Sequence, residues 1–248
     1  MIVRKSPAEI EIMREAGRVS ALALRLAGEA VAIGVTTADL DRIAEDAIRA
    51  EGGIPAFKGY HGFPATLCTS VNEQVVHGIP GTRKLRDGDI LSIDVGAIVD
   101  GYYGDNARTF AVGDVASRTL RLMDVTQQSL EAGIAKCRVG MRLYDISAAV
   151  QRVAEAAGFS VVREYVGHGI GRQMHEEPQV PNYGPAGKGP TLQPGMVLAI
   201  EPMINEGAAA VRQLDDGWTV VTADGKPSAH FEHTVAITPE GPVILTLS

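Results

Sequence analysis

Two of the six histidines, His168 and His175, stand among glycines and acids in the stretch GHGIGRQMHEEP, residues 167–178. Imidazole changes its protonation state near neutral pH and binds metal ions, so such a segment can serve catalysis. A polar surface loop is the alternative interpretation, because loops also collect glycine and charged residues. The remainder of the chain has to separate the two interpretations.

Four acidic residues stand where the sequence otherwise predicts buried strands. Asp94 and Glu201 are predicted to end the strands in LRDGDILSIDVG and LQPGMVLAIEPM, which align with each other. Asp105 precedes NARTFAVG and Glu232 begins EHTVAITPEG, and their equal strand parity directs both side chains to one face. Buried carboxylates are unfavourable unless they are paired, hydrogen-bonded or bound to cations. The acids therefore indicate a polar interior site, with unrelated surface acids as the alternative for any one of them.

Four converging carboxylates and an imidazole form a donor set for divalent cations. An arginine could also neutralise the acids, but Arg108 has the opposite strand parity to Asp105. Carboxylates with His168 suit Mn, Fe, Co or Zn rather than a structural zinc, which favours cysteine. Two ions that share bridging carboxylates lie ~3.5–4 Å apart and hold a hydroxide that can attack a carbonyl. The glycines beside His168 are expected to let the backbone approach the ions.

The elements that position these residues occur twice. Ser6-Pro7-Ala8-Glu9 predicts the start of a long helix, and a shorter helix follows from Thr36 or Thr37 to Gly52. SRTLRLMDVTQQSLEAGIAKC and YDISAAVQRVAEAAG predict a second pair of a long and a short helix. The sequence therefore predicts one domain over residues 1–248, with duplicated halves at roughly 6–115 and 116–248.

Composition excludes several classes of function. The 248 residues carry a net charge of -7, which argues against nucleic-acid recognition because phosphate binding needs a basic face. No apolar run approaches the ~20 residues of a membrane span, so no membrane partner is expected. Two cysteines are too few for a disulfide framework, which favours a reducing cytoplasm.

The motifs that carry these residues resemble those of the type I methionine aminopeptidases. The resemblance extends from about Ser6 to the C-terminus, and GHGIG…HEEP and VNEQVVHGIP are its most specific parts. It implies the pita-bread fold, an α/β (α+β) architecture of two pseudo-two-fold halves, with an antiparallel sheet covered by two helix pairs. It also implies a ligand set for two divalent metal ions per chain (Co, Mn, Fe or Zn), in which Asp94 binds one ion, His168 and Glu201 bind the other, and Asp105 and Glu232 bridge both.

The same resemblance implies a reaction and its catalytic residues. A metal-bridging hydroxide would remove the N-terminal methionine of nascent proteins when the second residue is small. His175 would bond the carbonyl region of the substrate, His77 would contact the substrate and move protons, and Glu201 would double as a general base. The enzyme is expected to act as a monomer in the cytoplasm, with the ribosome exit region as a candidate partner.

An apolar pocket for the methionine side chain is implied as well, with ordinary core packing as the alternative. Its expected walls are Tyr60, Phe63, Cys68, Met174 and Trp218. Met174 stands where many relatives carry phenylalanine and Phe57 where some carry cysteine, which is expected to alter the shape of the pocket. Gly96 and Asn106 replace hydroxyl residues of some relatives, which is expected to alter the surroundings of the metals.

Two other functions fit parts of the pattern. A proline-specific peptidase shares the catalytic fold, but such enzymes usually carry an extra N-terminal domain, whereas the catalytic helix is predicted to begin near Ser6 here. A metal-free binding protein would lack ligands, and all five are present. The three remaining histidines are predicted to lie in loops or next to the metal ligands, and no function is assigned to them. They are His61, His230 and His233.

Overall fold

A computed structural model describes residues 1–247 of the chain, which contain two helix pairs. The helices are α1 (Pro7–Glu29), α2 (Thr37–Ala50), α3 (Ser117–Ile134) and α4 (Leu143–Ala156), and a short 3-10 turn covers Tyr60–Gly62. The predicted start of α1 is confirmed, because the Glu9 amide donates to Ser6 Oγ and the Glu9 carboxylate accepts from the Ser6 amide. The second long helix ends at Ile134, three residues before its predicted end at Cys137.

Strands form one large sheet and two small ones. The strands of the first half are β1 (Ile54–Pro55), β2 (Leu67–Val71), β3 (Gln74–Val76), β4 (Ile90–Val99) and β5 (Tyr102–Ala111). Those that follow are β6 (Ser160–Val161), β7 (Gly167–Gly169), β8 (Glu176–Val180), β9 (Val197–Ile200), β10 (Met203–Asn205), β11 (Val211–Gln213), β12 (Val220–Thr222), β13 (Ser228–His230), β14 (Glu232–Thr238) and β15 (Gly241–Ile244).

The nine-stranded sheet runs in the order β1-β4-β5-β14-β9-β7-β8, with β2 on β4 and β15 on β14. The small sheets are β13-β10-β6 and β11-β12-β3. Every strand pairing within residues 1–247 is antiparallel, which confirms the predicted sheet type.

The prediction that Asp94 ends its strand is wrong, because β4 continues to Val99. A two-residue turn at Asp100 and Gly101, both with positive φ (48° and 77°), joins β4 to β5 and extends the hairpin. Such turns match the twist of paired strands, so the ladder runs unbroken past the acid. Asp94 therefore lies in the middle of a long hairpin, whereas Glu201 directly follows β9 as predicted.

Each helix pair covers its own hydrophobic cluster. Helices α1 and α2 enclose buried residues such as Leu24, Leu40 and Leu91, and α3 and α4 enclose residues such as Leu130 and Ile146. Within residues 1–247, no helix has the length and the apolar character that crossing a bilayer requires.

Candidate active site

A cavity of about 370 Å³ is lined by the residues that the sequence predicts to act in metal binding, catalysis and substrate binding. Its lining side chains are Phe57, Tyr60, His61, Phe63, Cys68, His77, Asp94, Asp105, His168, Met174, His175, Glu201, Trp218 and Glu232. All the predicted metal-binding, catalytic and pocket residues are in this set. The cavity lining contains neither lysine nor arginine, and Arg108 borders a separate hollow together with α1 and α3.

Strand register brings the acids to one face. In the β4–β5 hairpin Gly96 pairs with Asp105 and Asp94 pairs with Ala107, so the two acids are diagonal neighbours. Glu232 opens β14 and also pairs with Ala107 from the other side. The Thr234 hydroxyl accepts a hydrogen bond from the Asp105 amide (3.0 Å) and donates one to the Asp105 carbonyl (2.8 Å). These hydrogen bonds therefore hold β5, which carries Asp105, next to β14, which carries Glu232, beside the cavity.

His168 projects from β7 toward the same acids. Its Nε2 atom lies 3.6 Å from Glu201 Oε1 and 3.9 Å from Asp105 Oδ2. Its Nδ1 atom donates to the Gly169 carbonyl at 2.9 Å, which leaves Nε2 available as an acceptor or ligand. Burial, with a smaller contribution from His175, lowers the pKa of His168 to about 3, so the ring is neutral at neutral pH.

The glycines that flank His168 lie where neighbouring strands leave no room for a side chain. A Cβ on Gly167 would lie 2.4 Å from the Ala199 carbonyl oxygen, and one on Gly169 would lie 2.3 Å from the Glu177 carbonyl oxygen. They are needed because neighbouring strands approach the β7 backbone closely.

Hydrogen bonds compensate the burial of the acids only in part. Burial is the main cause that raises the pKa of Asp94, to about 7, and that raises the pKa values of Asp105, Glu201 and Glu232 well above their usual range. Repulsion from the neighbouring carboxylates adds to the shift of the last three. Asp94 Oδ1, Asp105 Oδ1 and Glu232 Oε1 are buried without a hydrogen-bond partner. Divalent cations would supply the missing interaction, so this donor set fits metal binding.

Donor atoms cluster into two overlapping groups. Asp105, His168 and Glu232 bring one donor each within 4.8 Å of one another, and so do Glu201, His230 and Glu232. The sequence analysis left His230 without a task. Its spacing of two residues from Glu232 in HFEHT is the signal that could have found it, because strand residues two apart share a face.

Two more imidazoles lie at the cavity wall. His175 Nδ1 is 2.8 Å from the Tyr60 hydroxyl, and the His175 ring centroid is 4.3 Å from that of His168. His77 has a positive φ of 60°. Burial and then His175 lower the pKa of His77 to about 4, and burial and then His61 lower the pKa of His175. Both rings are therefore neutral at neutral pH and can donate or accept a hydrogen bond.

The apolar side of the cavity contains the predicted pocket residues. The Phe63 and Trp218 rings meet edge to face with centroids 5.1 Å apart. Cys68 and Met174 are buried in the same cluster, which Tyr60 joins at its edge. Phe57 also belongs to it, and its ring fills the space beside Gly96, where an added Cβ would lie 2.9 Å from Phe57 Cε1.

The Asn106 side chain lies on the face of β5 that is opposite the acids. Ser20 Oγ of α1 donates to Asn106 Oδ1 at 2.6 Å, and Asn106 borders the separate hollow between α1 and α3. Consecutive strand residues point to opposite faces, so the neighbour of Asp105 faces away from the acids.

Comparison with known proteins gives matches over nearly the whole chain. Residues 11–239 match the family described as "Metallopeptidase family M24". The methionine aminopeptidase of Clostridium perfringens is 56% identical over 247 residues, covering 100% of this chain and 99% of the relative. The crystal structure of the methionine aminopeptidase from Rickettsia prowazekii is 44% identical with a TM-score of 0.98, and the match covers 100% of both chains.

A prolidase from Pyrococcus horikoshii OT3 shares the fold alone. It is 22% identical with a TM-score of 0.81, and the match covers 100% of this chain and 64% of the prolidase. These likenesses confirm the predicted fold class of paired helices on an antiparallel sheet.

Proposed function

This chain belongs to metallopeptidase family M24, and from the contents of its cavity we propose that it is a metal-dependent methionine aminopeptidase. It removes the N-terminal methionine of peptides whose second residue is small. The observation that carries this function is one cavity in which unpartnered carboxylates and a neutral histidine border an apolar aromatic pocket. The first part suits hydrolysis of a peptide bond, and the second suits an unbranched thioether side chain.

Five residues of the cavity are proposed to hold two divalent ions (Co, Mn, Fe or Zn). Asp94 would bind one ion, His168 and Glu201 the other, and Asp105 and Glu232 both. The unpartnered oxygens of Asp94, Asp105 and Glu232 and the free Nε2 of His168 support this assignment. When bound at such a site, divalent ions activate a water molecule and polarise the scissile carbonyl.

The histidines of the cavity wall are proposed to handle the substrate. If the Tyr60 hydroxyl donates to His175 Nδ1, the proton remains on Nε2, where it can stabilise negative charge on the carbonyl oxygen. His77 is neutral at neutral pH, so it can accept a proton near the free amine of the peptide and return it to the leaving amine. Glu201 is the candidate for holding a proton between these steps.

The pocket is proposed to select the side chain that is released. Tyr60, Phe63 and Trp218 would contact the methionine side chain, and Cys68 and Met174 would close the slot behind it. Their packing into one apolar cluster supports this role. A branched or charged side chain would meet the aromatic walls, and an apolar pocket discriminates such changes by ~1–3 kcal/mol.

Four peptides test the proposed function: Met-Ala-Ser, Met-Lys-Ser, Leu-Ala-Ser and Ala-Pro-Ser. Protein stripped of metal by a chelator and reloaded in turn with Co, Mn, Fe or Zn should cleave Met-Ala-Ser best. Faster cleavage of Ala-Pro-Ser would instead assign a proline-specific peptidase. Absence of hydrolysis with every metal would favour a binding protein on this scaffold. Metal analysis of protein purified anaerobically identifies which ion it carries.

The cellular setting is proposed from the cysteines and the net charge. We propose that the protein acts as a monomer in the cytoplasm on N-terminal peptides of nascent chains near the ribosome exit, without specific recognition of nucleic acid or membrane. Both cysteines are buried free thiols, which suits a reducing compartment, and the net charge of -7 disfavours binding to polyanions. Sedimentation with and without ribosomes tests the oligomeric state and the docking together.

A further inference from the structure

An imidazole that the proposed reaction does not use points at the acidic cluster. His230 ends β13 with 1% of its surface exposed, and its Nε2 atom has no hydrogen-bond partner. That atom lies 3.7 Å from Glu201 Oε2 and 3.9 Å from Glu232 Oε2. Both distances exceed the range of a hydrogen bond, so the ring is aimed at two carboxylates without bonding either.

The backbone holds His230 in this position. Its amide donates to Thr109 Oγ1 at 2.9 Å, and the Thr109 hydroxyl donates to the His230 carbonyl at 2.9 Å. On its other side His230 pairs with Met203 in the β10–β13 ladder. A strand fixed on both sides keeps the ring beside Glu201 and Glu232, so the juxtaposition follows from the fold and not from a mobile loop.

The spacing of the three groups fits a common cation. Nitrogen and oxygen donors bind transition-metal ions at about 2.0–2.2 Å, so two donors of one ion lie no more than about 4.3 Å apart. The two distances from His230 Nε2, 3.7 and 3.9 Å, are within that limit. A buried imidazole nitrogen without a partner costs free energy that coordination would recover.

We propose that His230 is a metal ligand, which with Glu201 and Glu232 forms a second imidazole-containing donor group beside Asp105, His168 and Glu232. The inference rests on the proposed metal centre and extends it from one nitrogen donor to two. Because imidazole suits Zn and Fe, while carboxylates suit Mn and Mg, a second nitrogen moves the metal preference of the centre toward Zn and Fe.

Cobalt-loaded protein gives a direct count of the imidazole ligands. An imidazole bound to Co(II) shows its ring N–H as a solvent-exchangeable proton resonance far outside the normal spectrum. The wild-type protein should show two such resonances. His230→Gln should keep only the resonance of His168, and His168→Gln should keep only the resonance of His230. His233→Gln is the matched control and should keep both, because His233 follows Glu232 and bonds Thr246 on the opposite face.

Titration of metal-free protein with Co(II) gives a second measure. His230→Gln should weaken one class of bound ion at least about tenfold, and His233→Gln should leave the affinity unchanged. One shifted imidazole resonance in the wild-type spectrum would overturn the inference, whether or not the variants fold. Failure of the wild-type protein to bind Co(II) would refute the metal centre itself.

Discussion

The tight packing beside Gly96 predicts that Gly96→Ala destabilises the fold, and that the size of this effect depends on the Phe57 ring. A Cβ at position 96 would lie 2.9 Å from Ala56 Cβ and 2.9 Å from Phe57 Cε1. Carbon atoms in contact prefer about 3.5–4.0 Å, so Gly96→Ala overpacks the cluster. Overpacking of this kind costs about 1–3 kcal/mol in the free energy of unfolding. For a chain of this size that corresponds to a fall in Tm of roughly 2–12 °C.

A double-mutant cycle isolates the contribution of the ring. Phe57 is 8% exposed and borders the cavity, so Phe57→Ala should cost toward the lower end of about 3–5 kcal/mol. In that background Gly96→Ala should cost less, because the Cε1 contact is gone, and the coupling should be about 0.5–3 kcal/mol.

Urea unfolding of metal-free protein measures all four free energies without a contribution from metal affinity. Gly81→Ala is the matched control, because an added Cβ there meets nothing within 4 Å and the glycine has no positive φ. Equal stability of the two glycine variants, or strictly additive effects with Phe57→Ala, would refute the proposed overpacking.

Four further predictions concern the site and its support. Asp105→Ala should abolish peptide cleavage and lower the bound metal, and near-normal turnover with normal metal content would contradict its bridging role. His175→Ala should keep its metal but lose about 3 kcal/mol of transition-state stabilisation, on the order of 10²-fold in kcat; loss of metal would make His175 a ligand instead. Burial raises the pKa of Asp94 to about 7, so the metal-free carboxyl is largely protonated below that pH. Metal binding should therefore release protons and weaken as the pH falls from 8 to 6. Calorimetry in buffers of different ionisation enthalpy measures the number of protons released, and a value of zero would contradict the prediction. Lys5→Met should lower the free energy of unfolding in urea by about 3–5 kcal/mol, because Lys5 and Glu176 form an ion pair whose side chains are 3% and 10% exposed. A loss below about 1 kcal/mol would contradict a stabilising role of this ion pair.

Local sequence rules predicted the elements that depend on neighbouring residues. The capping residues Ser6 and Glu9 gave the start of α1, and strand parity gave the common direction of Asp105 and Glu232. The same parity rule would have turned Asn106 away from the acids and brought His230 beside Glu232. Both placements follow from the face that a strand residue occupies and not from its distance in sequence from a ligand.

Other features depend on contacts that no local rule contains. The length of β4 beyond Asp94 is not one of them, because Asp100-Gly101 is itself a local hairpin signal. The need for Gly167 arises from a carbonyl oxygen at Ala199, more than thirty residues away in the chain. Such long-range approaches are set by how strands that are distant in the chain pack, which the sequence of either strand does not reveal.

The two largest hydrophobic clusters each draw on one half of the chain, whereas three smaller clusters combine residues of both halves. One hydrophobic cluster takes its buried residues from positions 19–112 and another from positions 122–237. Strands β5 and β14 join the two sides through the pairs Glu232–Ala107 and His233–Asn106, next to the acids. An ion bound there would act as a further, non-covalent cross-link between the two sides, so metal should raise the free energy of unfolding. Metal supply would then also set how long the chain survives proteases, which cut partly opened forms.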